Sequence, residues 1–197
     1  MYMAALSSEL ASDAAAVHIR AASGLALKNA LVAREHQRAM DFAERWVALP
    51  ADVRDQVKSK ALMTLGSAEP RAGTVAAQVT AAVAAIEMPR GMWPDLIQQL
   101  LAAVSDTSNP RQRQAALQAI GFTCETNEST ALEAQSNEIL TAVIQGARKE
   151  EPSPEVQFAA LQALLNSLLF VRSNMEREGE RNFITVSYTH LRAHETE

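Results

Sequence analysis

His190 and His194 stand four residues apart with Glu195 beside the second, which is how ligands for one metal ion would be spaced along a helix. The other two histidines, His18 and His36, have no metal-binding partners nearby in sequence and are expected on the surface or between helices. Cys124, the only cysteine, lies on an apolar helical stretch with Ile120, Gly121 and Phe122. One thiol can form neither an internal disulfide nor a thiolate zinc cage, so a small buried side chain in a reducing compartment is expected. There is no G-x-x-x-x-G-K-S/T phosphate loop, no G-x-G-x-x-G and no H-E-x-x-H. Catalysis needs a nucleophile, an acid–base pair, a metal or a cofactor cradle. None is legible, and the expectation is a protein that binds rather than an enzyme, with no cofactor.

The elements that would position any site are helical. Hydrophobic residues make up 48% of the 197 but aromatics only 5%, the balance being largely Ala and Leu, which favour helices. Apolar residues recur at helical spacing in segments from Tyr2 to Ala11, Ala14 to Val32, Ala39 to Ala48, Ala51 to Leu65, Thr74 to Glu87, Pro94 to Val104, Pro110 to Thr126, Asn137 to Lys149 and Pro154 to Val171. A last helix is expected to open near Met175, and no segment alternates with the period of a strand. Asp13 and Asp52 are placed to cap helices, Pro94 suits a first turn, and Gly66 and Gly146 fall where a helix end could turn left-handed.

The net charge of −5 and the absence of any Lys/Arg cluster argue against a nucleic-acid partner. No run reaches the roughly 18–20 apolar residues needed to span a bilayer, and the opening lacks the basic and apolar regions of a signal peptide. A soluble, unsecreted chain without a membrane partner is expected.

Four segments read as copies of one another: VHIRAASGLALKNAL, GTVAAQVTAAVAAIE, PRQRQAALQAIGFTCE and PEVQFAALQALLNSLLF. Each carries small residues on one stripe, which lets a neighbouring helix come close. Their spacing of about 40 residues is that of paired-helix repeats. Helices of another type, WPDLIQQLLAAVSD and SNEILTAVIQGARK, lie between them, an alternation that stacks into an α-solenoid. Neither end reads as a capped repeat, so a solenoid truncated at both ends is expected.

The strings SGLALKNAL, FAERWVAL, VKSKALMTLG, IEMPRGMWPDLIQQL, QAIGFTCE, SNEILTAVIQGARKEEPS, ALLNSL and ERNFI, in this order, resemble the N-terminal part of the importin-β (karyopherin-β) family from about Tyr2 to Ile184. The resemblance implies a right-handed superhelix of HEAT repeats. Its incomplete N-terminal domain would occupy 1–66, with the first helix missing, and the repeats 67–185. It also implies a nuclear import receptor of cytoplasm, nucleus and nuclear pore, with FG-repeat nucleoporins and Ran-GTP as partners. Importin-α and its cargo would bind only through repeats absent here. A HEAT scaffold of another class, of phosphatase or vesicle-coat type, is the alternative. From Val186 the string VSYTHLRAHET resembles a sequencing adapter translated in one frame, so 186–197 is expected to be a non-native tail, and the His190/His194 pair goes with it.

Position by position, the resemblance places an FG-nucleoporin groove between adjacent outer helices, with Leu140, Thr141 and Ile144 facing Glu180, Phe183 and Ile184. It places Ran-binding polar groups at Lys28 and Asn29. Trp46 and Trp93, in apolar settings, are expected to serve packing, and Lys149 to Glu151 an exposed helix end.

Overall fold

The computed structural model describes residues 2–126, 132 and 135–175. Glu180, Phe183, Ile184 and the 186–197 tail with His190 and His194 lie outside them. Nine α-helices are described: α1 Tyr2–Ala11, α2 Val17–Asn29, α3 His36–Val47, α4 Ala51–Leu65, α5 Pro70–Glu87, α6 Leu96–Ser105, α7 Pro110–Thr126, α8 Ser136–Gly146 and α9 Pro154–Met175, with a 3₁₀ turn at Met88–Arg90. The chain divides into two compact units, residues 1–94 and 95–197.

In the first unit α1 packs on α2 and α4 on α5, and the pairs then stack like on like, α1 against α4 and α2 against α5. The second unit repeats the scheme: α6 with α7, α8 with α9, α6 against α8 and α7 against α9. This is the alternation of two helix types seen in the sequence. α2, α5, α7 and α9, the four Ala-rich copies, are the second members of their pairs. Small residues make the stacking close. A Cβ on Gly24 would strike Val75 and meet Leu10 Cδ1 at 3.0 Å, and one on Gly121 would meet Ala163 Cα at 3.0 Å. Leu10, Leu27, Val57, Leu65 and Val79 fill the first core, and Leu96, Leu100, Leu117, Ile120 and Ile139 the second. Each such side chain contributes about 1.5–3 kcal/mol by leaving water.

One device recurs at the same register in three pairs. Arg20, fourth residue of α2, is 3% exposed; its Nε donates to Leu10 O at 2.9 Å and its Nη2 to Ser67 Oγ at 3.0 Å. Arg113, fourth in α7, donates from Nε to Val104 O at 2.9 Å, and Gln157, fourth in α9, donates to Arg148 O at 2.9 Å. In these three pairs the second helix thus satisfies carbonyls at the C-terminal end of its first helix or, for Gln157, just past it, and for the two arginines the positive charge also suits that end of the helix dipole.

Several local expectations are corrected. Asp13 does not cap α2, whose N-cap is Ala16; its carboxylate pairs with Arg20 Nη1 at 2.8 Å. Asp52 sits inside the first turn of α4, after Pro50 at the N-cap. Pro94 precedes α6, which starts at Leu96 behind Asp95, whereas Pro70, Pro110 and Pro154 open α5, α7 and α9. Gly66 has φ −82° and needs no glycine freedom; among the described residues the only positive φ belongs to Gly91, at 65°. Gly146 is small because Ala160 Cβ would lie 3.0 Å from its own Cβ. Met175 is the last residue of α9 described, and the helix expected to open near it lies outside the described residues.

Candidate functional site

Leu140 and Ile144 lie one turn apart on α8, on one face of the helix. Both are buried, Leu140 at 2% and Ile144 at 7% exposure, along with Ile139 and Val143, so α8 closes most of its girth against neighbours that include α6 and α9. Thr141 alone of the three is exposed, its hydroxyl donating to Asn137 O at 2.7 Å. The structure therefore places Leu140, Thr141 and Ile144 together on one helix, while Glu180, Phe183 and Ile184 lie outside the described residues. A charge at Ile144 would be a buried charge and would perturb folding as much as any groove.

Lys28 and Asn29 close α2. Lys28 is half-buried and Asn29 exposed, and Lys28 pairs with no carboxylate among the described residues. A cation in the last turn also offsets the negative end of the helix dipole, which gives Lys28 a role without any partner.

The chemistry-bearing residues settle into packing. Cys124 is buried, and desolvation pushes its thiol up to about 12, far from a reactive thiolate at neutral pH. His18 and His36 are exposed. Among the described residues no three His, Cys, Asp or Glu side chains gather as metal ligands, and no helix is long and apolar enough to cross a membrane.

Two polar clusters escaped the sequence. Glu87, fully buried, accepts from Trp46 Nε1 at 3.0 Å, Arg54 Nη1 at 3.1 Å and Lys58 Nζ at 3.0 Å. Trp46 is fully buried beside it, and Lys58 Nζ also lies 5.3 Å from the centre of the buried Trp93 ring, so both tryptophans pack inside. Glu151 was expected on an exposed helix end. Its side chain is 4% exposed and takes two hydrogen bonds from Arg113, at 2.9 and 2.7 Å. Lys149 and Glu150 are exposed as expected. Sequence separations of 29 to 41 residues hide both clusters.

Comparison with known proteins gives the context. The importin-beta N-terminal domain matches residues 1–67. Importin subunit beta-1 of Schizosaccharomyces pombe is 51% identical over 183 residues, 93% of this chain and 21% of that protein. Importin subunit beta-1 of Saccharomyces cerevisiae is 42% identical over 168 residues, 84% of this chain and 20% of that one. Among solved structures, an importin β crystallised in an ammonium sulfate condition superposes with a TM-score of 0.88 at 48% identity, covering 94% of this chain and 22% of its own. A Kap95:Nup1 complex gives 0.86 at 38% identity, and a Kap95p structure in which binding switches the loops of RanGDP to the GTP-bound conformation gives 0.89 at 37%, each covering 94% of this chain and 22% of theirs. The chain spans about a fifth of the length of the curated relatives it matches.

Proposed function

Over the residues it shares with these relatives this chain belongs to the importin-β family, and we propose that it contributes the N-terminal repeats of a nuclear import receptor, binding Ran-GTP and FG-repeat nucleoporins. The observation that carries the reading is the 51% identity sustained over 93% of the chain. A match of that extent preserves both surface and core. The described helices stack in pairs, as a HEAT solenoid requires.

In this reading residues 1–66 form the N-terminal domain, 67–185 the following HEAT repeats of a right-handed solenoid, and 186–197 a non-native tail. Lys28 and Asn29, at the open end of α2, meet Ran. Thr141, with Leu140 and Ile144 beneath it, lies under an FG phenylalanine whose far wall is Glu180, Phe183 and Ile184. Contacts of that kind bury little area and release quickly, which suits passage through a pore between cytoplasm and nucleus. Importin-α and cargo engage repeats beyond this stretch. The work is binding, with no catalysis, cofactor, nucleic acid or membrane.

Calorimetric titration of the chain with Ran loaded with a non-hydrolysable GTP analogue, and separately with GDP, tests this. At least a tenfold preference for the GTP form is expected, about 1.4 kcal/mol or more. Equal affinity for the two forms would point to a HEAT scaffold of another class, of phosphatase or vesicle-coat type.

A further inference from the structure

Ser153-Pro154 is the only place in the 197 residues where a serine or threonine precedes a proline. It closes the loop between α8 and α9, in which Arg148, Lys149, Glu150 and Pro152 are exposed, as are Pro154 and Glu155 after it, and Ser153 is half-buried. Its hydroxyl caps α9: Oγ accepts from Val156 N at 3.3 Å and donates to Glu155 Oε2 at 3.0 Å. Both bonds are local, so presenting the hydroxyl frays only the first turn of α9.

The charges around this hydroxyl are wired together. Ser153 N donates to Glu151 Oε1 at 3.3 Å, and the same oxygen accepts from Arg113 Nη1 at 2.9 Å while Oε2 takes Nη2 at 2.7 Å. A group added to Ser153 Oγ therefore arrives beside the guanidinium that holds Glu151. The first unit shows what a guanidinium at this register accepts. Ser67 stands three residues before the start of α5, as Glu151 does before α9, and its Oγ accepts from Arg20 Nη2 at 3.0 Å. Ser67 is buried and is followed by Ala68, so it offers neither the access nor the proline of Ser153.

We propose that Ser153 is a phosphorylation site for a proline-directed protein kinase, and that its phosphate competes with Glu151 for Arg113. A proline after the acceptor removes a backbone N–H, the feature by which kinases of this class choose a substrate. In the transfer Ser153 Oγ attacks the γ-phosphorus of kinase-bound ATP. The Oγ–P bond forms as the bond to the β,γ-bridging oxygen breaks, ADP leaves, and the hydroxyl proton passes to the kinase's catalytic base. The product carries a charge of about −1.5 to −2 and three strong acceptor oxygens. These suit the N-terminal end of α9 and the Arg113 fork, but they stand against Glu151 and Glu155. With one guanidinium for two anions, the buried Glu151 carboxylate loses its partner, and the tie from Val104 O to the α8–α9 loop slackens. The site depends on neither Ran nor nucleoporins.

The whole chain is incubated with an activated mitogen-activated protein kinase and Mg–ATP, beside a synthetic peptide of residues 148–157. Mass spectrometry should place a phosphate on Ser153 in both. Ser153→Ala should abolish it, and Pro154→Ala, at an exposed position, should slow it at least tenfold with unchanged helix content by circular dichroism. Phosphorylation should lower the urea midpoint of the wild-type chain. In Glu151→Gln, where the phosphate has no rival for Arg113, it should raise the midpoint above that of the unmodified variant, and adding Arg113→Ala should remove that rise. If Glu151→Gln folds poorly, hydrogen exchange of the wild-type chain gives the second readout: amides of residues 148–153 should exchange at least fivefold faster once Ser153 is phosphorylated. Modification of the peptide but not of the folded chain would show that the loop hides the hydroxyl and would overturn the site. So would modification of neither. A fall in midpoint as large in Glu151→Gln as in the wild type, or loop exchange unchanged by the phosphate, would overturn the competition for Arg113.

Discussion

Arg113 and Glu151 face each other fork to fork, with Nη1 at 2.9 Å from Oε1 and Nη2 at 2.7 Å from Oε2, while Arg113 Nε holds Val104 O at 2.9 Å. One guanidinium therefore ties the end of α6 to the loop that joins α8 to α9. Arg20 does the same in the first unit, joining Leu10 O to Ser67 Oγ in the loop between α4 and α5. Three of the four helix pairs thus carry a polar staple at the fourth residue of the second helix beside the small-residue stripe; in α5 that position is Gly73, which has no side chain to reach with.

Arg113→Ala should cost about 2–4 kcal/mol in urea unfolding, since it strands a nearly buried carboxylate and an unpaired helix-end carbonyl. Arg113→Lys should recover less than half of that, because an ammonium cannot make the parallel pair. Full recovery by Lys would show that charge alone matters.

How far the sequence could be read follows from which contacts are local. Helix spacing is local, so Tyr2–Ala11, Ala51–Leu65 and Pro110–Thr126 were legible to the residue. Pro70 and His36 were not, because the apolar pattern begins about a turn after each of these helix starts. Small residues were legible as a packing stripe, but the reason for Gly146 was not: it faces Ala160 on another helix instead of turning a helix end. The staples and the Glu87 cluster depend on partners dozens of residues away. On α8 spacing alone cannot separate a groove floor from a core face, and only burial tells Leu140 and Ile144 from Thr141.

Glu87 holds α3 in place. Among the described residues, Trp46 Nε1 to Glu87 Oε1 is the only side-chain hydrogen bond from α3 to another helix. Glu87→Ala would take the buried acceptor from Arg54 Nη1 and the indole together and leave Lys58 only Asp55, at 2.9 Å, at a cost of about 3–5 kcal/mol. Trp46→Phe should cost about 1–2 kcal/mol. In native-state hydrogen exchange of the Trp46 variant, α3 amides should lose protection before those of α4 and α5. Uniform loss across the three helices would mean that α3 has other fastenings.

Gly121→Ala sets two effects against each other. Alanine favours a helix by about 1 kcal/mol over glycine, but its Cβ would stand 3.0 Å from Ala163 Cα, and backbone does not yield cheaply. Overpacking of this kind costs about 1–3 kcal/mol, so a net loss is expected in thermal unfolding. A gain in stability would show that α7 and α9 can separate freely.

Cys124, with its thiol raised from 9.0 to about 12 by burial, should resist iodoacetamide at pH 8 until the chain is unfolded in urea. The same shift makes the folded state hold its proton longer than the unfolded chain. Stability from this source is intact below pH 9 and declines between pH 9 and 12, and Cys124→Ala should flatten that part of the profile. Rapid native-state alkylation would mean that the α7 surface opens.

Lys58 supplies a second alkaline transition with the same sign. Desolvation works to lower its pKa, but the carboxylates of Asp55 and Glu87 outweigh it, and the net shift is upward from 10.5. A raised pKa means that the folded chain keeps its proton after the unfolded chain has released it, so the ion pairs stabilise fully below pH 10.5 and fade as pH climbs past the raised value. In a Cys124→Ala background, which removes the thiol from the same window, stability should still fall above pH 10.5. Lys58→Met in that background should be less stable at pH 7, having lost the partner of Glu87 Oε2, and should show a shallower decline above pH 10.5. An equal slope in both backgrounds would show that the ammonium does not take part in the alkaline loss, and would leave Arg54 and Trp46 to hold Glu87 at high pH.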